Sequence, residues 1–294
     1  MKQPSKDYRV LELRPSTDTA SKPSELIQIR GHDGLTLNAR RAITLLWHNA
    51  HRQGIEPNKD YTIEIDQLVP VRHKGYEMVE EAIEALMTTL IIVPLPDGGT
   101  RRVQVLGGND LTDKRRRAGT MTYSFDKRLV EVLRDSAIWG KISLPELMAF
   151  SFKYSISLYE HLSQWIGLSQ MHGKTFTLEE FRHVLGVTEG KYKQFGQLNQ
   201  QVLKPVIAEL NALAPFNVSV QPIKTGKSVT HIRLSWWDKT IEERKEAFTE
   251  VNRSKVGRRA RIQDKVEYVL PPSPSSHRLT KAFRKSVDDP LIED

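Results

Sequence analysis

The sequence predicts an α+β fold, mainly helical, and two observations predict it. Residues 152–237 read as a helix, a second helix, a glycine turn, a third helix, and two β-strands joined by a basic turn. A helix–turn–helix closed by a strand pair is the winged-helix order. A similar succession (helix, strand, helix, helix, hairpin) is already legible between residues 39 and 108. Two tandem winged-helix domains therefore account for 294 residues better than one large domain.

Taken in order, residues 1–34 are polar apart from Leu26–Ile29, which predicts a flexible N-terminal arm with at most one docking strand. The first winged-helix domain is expected over 35–140. Thr36 or Asn38 caps a helix whose Ala42, Ile43, Leu46, Trp47 and Ala50 recur at helical spacing, and Gly54 and Pro57 end it. Ile63, Ile65 and Leu68 alternate like a short strand leading into a helix capped by Asp66. A strong helix follows from Lys74 to Thr89, with Met78, Ala82, Ala85 and Leu86 as its expected buried face. Asp97-Gly98-Gly99 then supplies the turn of a β-hairpin. After the basic loop Asp113–Arg117, a strand and a helix capped near Asp126 close the domain.

The second winged-helix domain is expected over 141–239. Ser143–Glu146 has the form of a capping box, with Pro145 in the first turn of a long helix that breaks near Phe152–Tyr154. Thr177–Glu180 is a second capping box, and it opens a helix with Leu178, Phe181, Val184 and Leu185 on its buried side. Gly186 makes the turn. The next helix is expected over Tyr192–Leu213, followed by strands either side of Thr225-Gly226-Lys227. Residues 240–294 read as a charged, largely disordered tail in which 242–251 extends as a helix.

Composition excludes several classes of chemistry. There is no cysteine, hence no disulfide, thiolate nucleophile or cysteine-held zinc. The N-terminus lacks a signal-peptide core, and no run approaches the roughly 20 apolar residues of a membrane span. This predicts a soluble cytoplasmic protein without membrane contact, needing neither cofactor nor metal. A net charge of +8 favours polyanionic partners.

The constellation that carries function lies on the helix after Gly186. On a wheel, Phe195, Leu198, Val202, Val206, Leu210 and Leu213 share one face. Lys193, Gln197, Gln200, Gln201 and Lys204 share the other, with Lys191 and Gln194 beside them. Glutamine pairs with adenine edges in the major groove, and lysine reaches guanine or phosphate. Solvated helix faces ordinarily mix both signs, yet no Asp or Glu occurs between Lys191 and Val206. The strand pair is expected to bring Lys224, Lys227, His231 and Arg233 close to one another, with Lys224 and Lys227 flanking the last turn as wing contacts to phosphate. His231 reads as a surface strand residue. The helix at 74–89 instead exposes Glu77, Glu80, Glu81 and Glu84, which a phosphate groove repels. Only its first turn (His73, Lys74, Tyr76), the hairpin residues Arg101 and Arg102, and the run Lys114, Arg115, Arg116 and Arg117 remain as DNA-backbone contacts of the first domain. The second domain is thus expected to read sequence, and the first to grip the backbone or contact protein.

From Leu35 to Trp237 the chain resembles the replication initiator (Rep) proteins of iteron-containing plasmids, the type-3 Rep family. The resemblance rests on Lys153-Tyr154-Ser155 with Leu158-Tyr159-Glu160, on Phe176–Phe181 with Leu185-Gly186-Val187, and on Tyr192. It continues through Val202-Leu203-Lys204-Pro205, Ile207, Glu209-Leu210-Asn211, Val229-Thr230 and Ile232-Arg233. Leu210 stands where isoleucine is more usual. Pro205 stands where the family carries proline inside a long recognition helix. The resemblance implies binding to directly repeated origin sites and opening of nearby AT-rich DNA. It implies a monomer–dimer equilibrium, in which dimers joined through the first domain repress the protein's own gene. It also implies the host replication initiator and helicase as partners.

Catalytic readings fare poorly. Tyrosine-dependent nicking requires a His-apolar-His metal motif, and no His-X-His occurs. Gly226-Lys227-Ser228 resembles the end of a P-loop, but Gln221 occupies the first glycine position and the segment lies between strands. His48 and His51 share a helix without acidic or cysteine partners and read as surface histidines. A transcriptional repressor with no replication role uses the same fold and the same helix, and only the family resemblance favours the initiator.

Overall fold

A computed structural model of the chain describes residues 18–28, 32–68, 75–94, 97–112, 119–134, 136–166 and 172–262. These fall into two units divided after Lys255. The larger holds two hydrophobic cores, each at the centre of one winged-helix domain.

The first core gathers residues from Leu26 to Leu133. Its elements are α1 (Ser24–Ile27), α2 (Leu37–Arg52), β2 (Tyr61–Glu64), α3 (Gly75–Thr88), β3 (Leu90–Pro94), β4 (Thr100–Gln104), β5 (Leu106–Leu111), β6 (Thr120–Phe125) and α4 (Lys127–Arg134). Strands β3 and β4 form the expected hairpin, with Gly98 at φ 84° in its turn. A second sheet runs β2-β6-β5, all antiparallel. Asp66 opens no α-helix, because Ile65–Leu68 is a single 3-10 turn. On α3 the deepest residues are Val79, Ala82, Ile83 and Leu86, while Met78 and Ala85 are only half-buried. His48 is buried, and His51 is largely enclosed between the rings of Trp47 and Trp139 at 6.1 and 5.6 Å. Both belong to the packed interior rather than the surface the sequence suggested.

The second core takes Ala20 and then residues from Ile142 to Trp236. Around it lie β7 (Trp139–Ser143), α5 (Leu144–Ala149), α6 (Lys153–Trp165), β8 (Gly173–Thr177), α7 (Leu178–Leu185), the long helix α8 (residues 195–213), β9 (Phe216–Thr225) and β10 (Ser228–Asp238). Its sheet is three-stranded, in the order β8-β10-β9, so the expected strand pair gains a third member. The break between α5 and α6 falls at Phe150–Phe152. Ser143 makes no cap bond to α5. Instead the Tyr159 hydroxyl accepts from the Ser143 amide at 3.1 Å and donates to Glu146 Oε2 at 2.6 Å, so it stands between the two groups that a capping box joins directly.

The expected flexible arm is corrected over residues 19–27. β1 (Thr19–Pro23) pairs antiparallel with β7, and α1 follows it. Apolar and polar contacts both hold the segment, for Leu26 joins the first core and Ala20 the second. Lys22, a buried lysine, donates to Glu160 Oε1 on α6 at 2.7 Å and to Thr44 on α2 at 3.1 Å. Burial holds the Lys22 ammonium below the ordinary lysine range even beside Glu160. Arg40 donates to Ser157, and Arg41 to the carbonyls of Met148 and Phe150. Lys153 donates to the Asp33 carbonyl at 2.9 Å. The first domain's leading helix is thereby bolted to α6 of the second by ionised groups that must keep their partners once buried.

Residues 240–252, placed in the charged tail, begin with a Thr240–Glu243 capping box and form α9 (Ile241–Asn252). The smaller unit contains α10 (Arg258–Ile262), in which Arg261 donates to the Val256 carbonyl.

Candidate nucleic-acid interface

The helix–turn–helix is set by local chemistry. Thr177 accepts from the Glu180 amide at 3.2 Å and Glu180 accepts from the Thr177 amide at 2.8 Å, which closes the capping box at the start of α7. Gly186 ends α7 at φ 68°, where a side chain would be strained. Residues 187–194 form the turn, with Gly190 at φ 79° and Tyr192 at φ 50°.

α8 begins at Phe195, later than the Tyr192 start the sequence suggested. Lys191 and Lys193 therefore stand exposed on the lead-in turn, and Gln194 is the exposed N-cap residue. The helix is continuous through Phe195–Leu198, a π turn at Asn199–Leu203, and Lys204–Leu213. In the π turn the Lys204 amide bonds to Asn199 O, five residues back. A π turn leaves a carbonyl without its usual donor just where Pro205 has no N–H to offer, so the proline is absorbed without breaking the helix.

Leu198, Val202, Leu203, Val206, Leu210 and Leu213 are buried, which fixes the rotation of α8, and Phe195 is half-buried. The helix end is pinned by Lys239, which donates to the carbonyls of Asn211 and Ala214 at 2.5 and 2.8 Å. With that rotation fixed, Gln197, Gln200, Gln201 and Lys204 are all exposed on one side, and Asn199 is half-buried. Carboxylates are absent from the stripe, whose amides both donate and accept.

At the wing, Lys224 and Lys227 are exposed about the turn at Gly226, which has φ 62°. Arg233 is exposed too, but it faces Gln221 on β9 and Thr175 on β8, whereas Lys224 pairs with Val229. Four residues of strand put it about 13 Å from the wing tip, so it does not cluster with the two lysines as expected. His231 is an exposed strand residue whose Nδ1 lies 3.0 Å from the Thr230 hydroxyl.

The first domain's candidates fare unevenly. The Tyr76 hydroxyl donates to the Thr112 carbonyl at 2.7 Å, so the side chain serves its own domain. Arg101 donates to the Arg128 carbonyl at 2.9 Å and pairs with Glu131 at 3.6 Å. Arg102, its neighbour on β4, is exposed. His73, Lys74, Lys114, Arg115, Arg116 and Arg117 lie outside the described residues. On α3, Glu77, Glu81 and Glu84 are exposed and Glu80 is half-buried, so that helix presents an acidic side.

Sequence periodicity gave no sign of Arg182. Its guanidinium reaches from α7 to the carbonyls of Lys191, Tyr192 and Lys193. Among the described residues no group of three or more His, Cys, Asp or Glu is placed to hold a metal ion. No described helix is long and apolar enough to cross a membrane.

Comparison with known proteins agrees with this geometry. Residues 19–163 match the model of the initiator replication protein family's first winged helix, and residues 177–236 match its second. A replication initiation protein of Escherichia coli is 30% identical over 98 residues, which is 33% of this chain and 31% of that protein, so the match spans about a third of the relative. The crystal structure of the Pi initiator protein in complex with iteron DNA superposes with a TM-score of 0.59 at 16% identity, covering 76% of this chain and 98% of that one. At that identity the likeness is one of fold. Domains 2 and 3 of RctB give a TM-score of 0.40 at 12% identity, over 71% of this chain and 82% of theirs. With both winged helices matched to their own family models, in order and over most of its length, the chain belongs to the initiator Rep protein family.

Proposed function

We propose that this chain is a plasmid replication initiator that binds directly repeated origin sites, or iterons, in double-stranded DNA. It acts in the bacterial cytoplasm, opens adjacent AT-rich DNA and has no catalytic centre of its own. The observation that carries the reading is the exposed carboxylate-free stripe on α8 (Gln197, Gln200, Gln201 and Lys204), led in by Lys191 and Lys193. Recognition helices read base edges with their N-terminal half, and this stripe occupies that half. The fold shared with the Pi initiator, whose structure holds iteron DNA, supports the same reading.

In this account the second domain reads bases through α8 and touches phosphate through Lys224 and Lys227. The first domain, with acidic α3, holds the backbone through Arg102 and the basic run at 114–117. It also joins two copies into a dimer that represses the protein's own gene. Host initiator and helicase are the partners recruited to the opened origin. A footprint on plasmid DNA flanking the gene tests the proposal. Protection at direct repeats supports the initiator, and protection confined to one palindrome would leave only a repressor.

A further inference from the structure

We infer that Arg182, half-buried on α7, is a specificity-determining positioning residue that sets the approach to the recognition helix. The inference rests on the DNA reading of α8 proposed above. Three successive carbonyls converge on one guanidinium: Nη1 donates to Lys191 O at 3.0 Å, and Nη2 to Tyr192 O at 2.5 Å and Lys193 O at 3.4 Å. Successive carbonyls pointing the same way repel one another, and a delocalised cation with forked donors satisfies them together.

The turn so held is strained. Tyr192 sits at φ 50°, a left-handed conformation that costs a bulky residue free energy and persists only where its surroundings enforce it. Two constraints enforce it here. The Tyr192 ring lies edge-on to Tyr154 of α6 at 6.5 Å, and Arg182 holds the Tyr192 carbonyl. The backbone from which Arg182 reaches is held in turn, since its carbonyl accepts from the Val187 amide at the end of α7 at 2.9 Å. The exposed side chains of Lys191 and Lys193 lie either side of the captured peptide, immediately before Gln194 and α8.

The consequence concerns specificity more than bulk affinity. A lysine on a relaxed turn still neutralises phosphate in a loose, non-specific complex. Only a lysine on a fixed turn holds α8 at one register over the bases. The shorter side chain and compact ammonium of lysine span fewer of the three carbonyls than the forked guanidinium, so Arg182→Lys is expected to lose selectivity in the same direction as Arg182→Ala but by less.

The test uses the full chain and a duplex that the wild-type protein enriches from a randomised pool, with a scrambled duplex as control. Arg182→Ala is expected to weaken binding to the enriched duplex about tenfold and to the scrambled duplex by less than about twofold. Arg182→Lys should shift selectivity the same way by a smaller factor, about threefold, and it keeps the test open if the alanine variant does not fold. In a Lys191→Ala/Lys193→Ala background the Arg182 change should cost less than about a further twofold. Wild-type selectivity in either Arg182 variant would overturn the inference. So would an Arg182 penalty undiminished in the double-lysine background, which would mark a general structural role. If the wild-type chain enriches no sequence, the DNA reading of α8 fails, and this inference with it.

Discussion

Replacing Lys22 with methionine tests how the two domains are held together. The Lys22 ammonium lies 2.7 Å from Glu160 Oε1, with the side chains 2% and 7% exposed. Thr44 donates to the same oxygen at 2.8 Å. At that separation and an effective dielectric of 20, the attraction is about 6 kcal/mol. Desolvation opposes it at several kcal/mol per ion. Burial is the larger influence, since it holds the Lys22 pKa down against the pull of Glu160. The intact pair therefore adds little net stability, yet losing one member strands a buried charge at a cost of roughly 3–5 kcal/mol. Arg40, whose guanidinium also feels Glu160, offsets part of that loss, so Lys22→Met should cost about 3 kcal/mol. Glu160→Leu should cost more, at the upper end of that range, since it strands Lys22 and Arg40 together, and Lys22→Met/Glu160→Leu should be about 1 kcal/mol more stable than Glu160→Leu, because only Arg40, with Asp33 near it, is then left without Glu160. Urea unfolding of the full chain, followed by far-UV circular dichroism, measures all three. Lys22→Met within about 1 kcal/mol of wild type, or a double variant no more stable than Glu160→Leu alone, would refute the reasoning.

Other expectations follow from the same geometry. Gln197→Ala and Gln200→Ala should each weaken binding to a specific duplex by about 1–3 kcal/mol while leaving scrambled duplex nearly unaffected, as measured by anisotropy at fixed salt. His161 is fully buried, and burial lowers its pKa to about 4, partly offset by its bond to the Ser157 carbonyl. The unfolded chain then takes the proton first. Stability is intact above about pH 6.5 and falls by roughly 3 kcal/mol as pH drops to 4, and His161→Gln should flatten that slope in pH-dependent unfolding. Thr177→Ala removes the cap of α7 and should cost about 1 kcal/mol in thermal unfolding without changing the ratio of specific to non-specific affinity.

What the sequence revealed depended on how local the cause was. The Thr177–Glu180 box, Gly186 and the hairpin at Gly98 are each decided within a few residues, and each formed as expected. The buried stripe of α8 was legible because Leu198, Val202, Val206, Leu210 and Leu213 keep one face through the π turn. Distant partners defeated the rest. Lys22 reads as a solvated lysine until Glu160, 138 residues away, meets it. Ser143 and Glu146 read as a capping box until the Tyr159 hydroxyl comes between the Ser143 amide and the Glu146 carboxylate. β8 escaped notice because only Phe176 of its five residues is buried. The left-handed Tyr192, the late start of α8 and the grip of Arg182 arise from tertiary contacts, for which neither periodicity nor propensity carries a signal.

The chain has no cysteine, so a single introduced thiol reports one position without background. Disulfide trapping against a duplex bearing thiol-tethered bases at the enriched site places the surface of α8 directly. The account predicts that Gln197→Cys and Gln200→Cys each trap a base in the major groove, while Glu81→Cys on the acidic side of α3 traps none. Trapping from Glu81→Cys with silence at both α8 positions would show that another face meets the bases and would contradict the account.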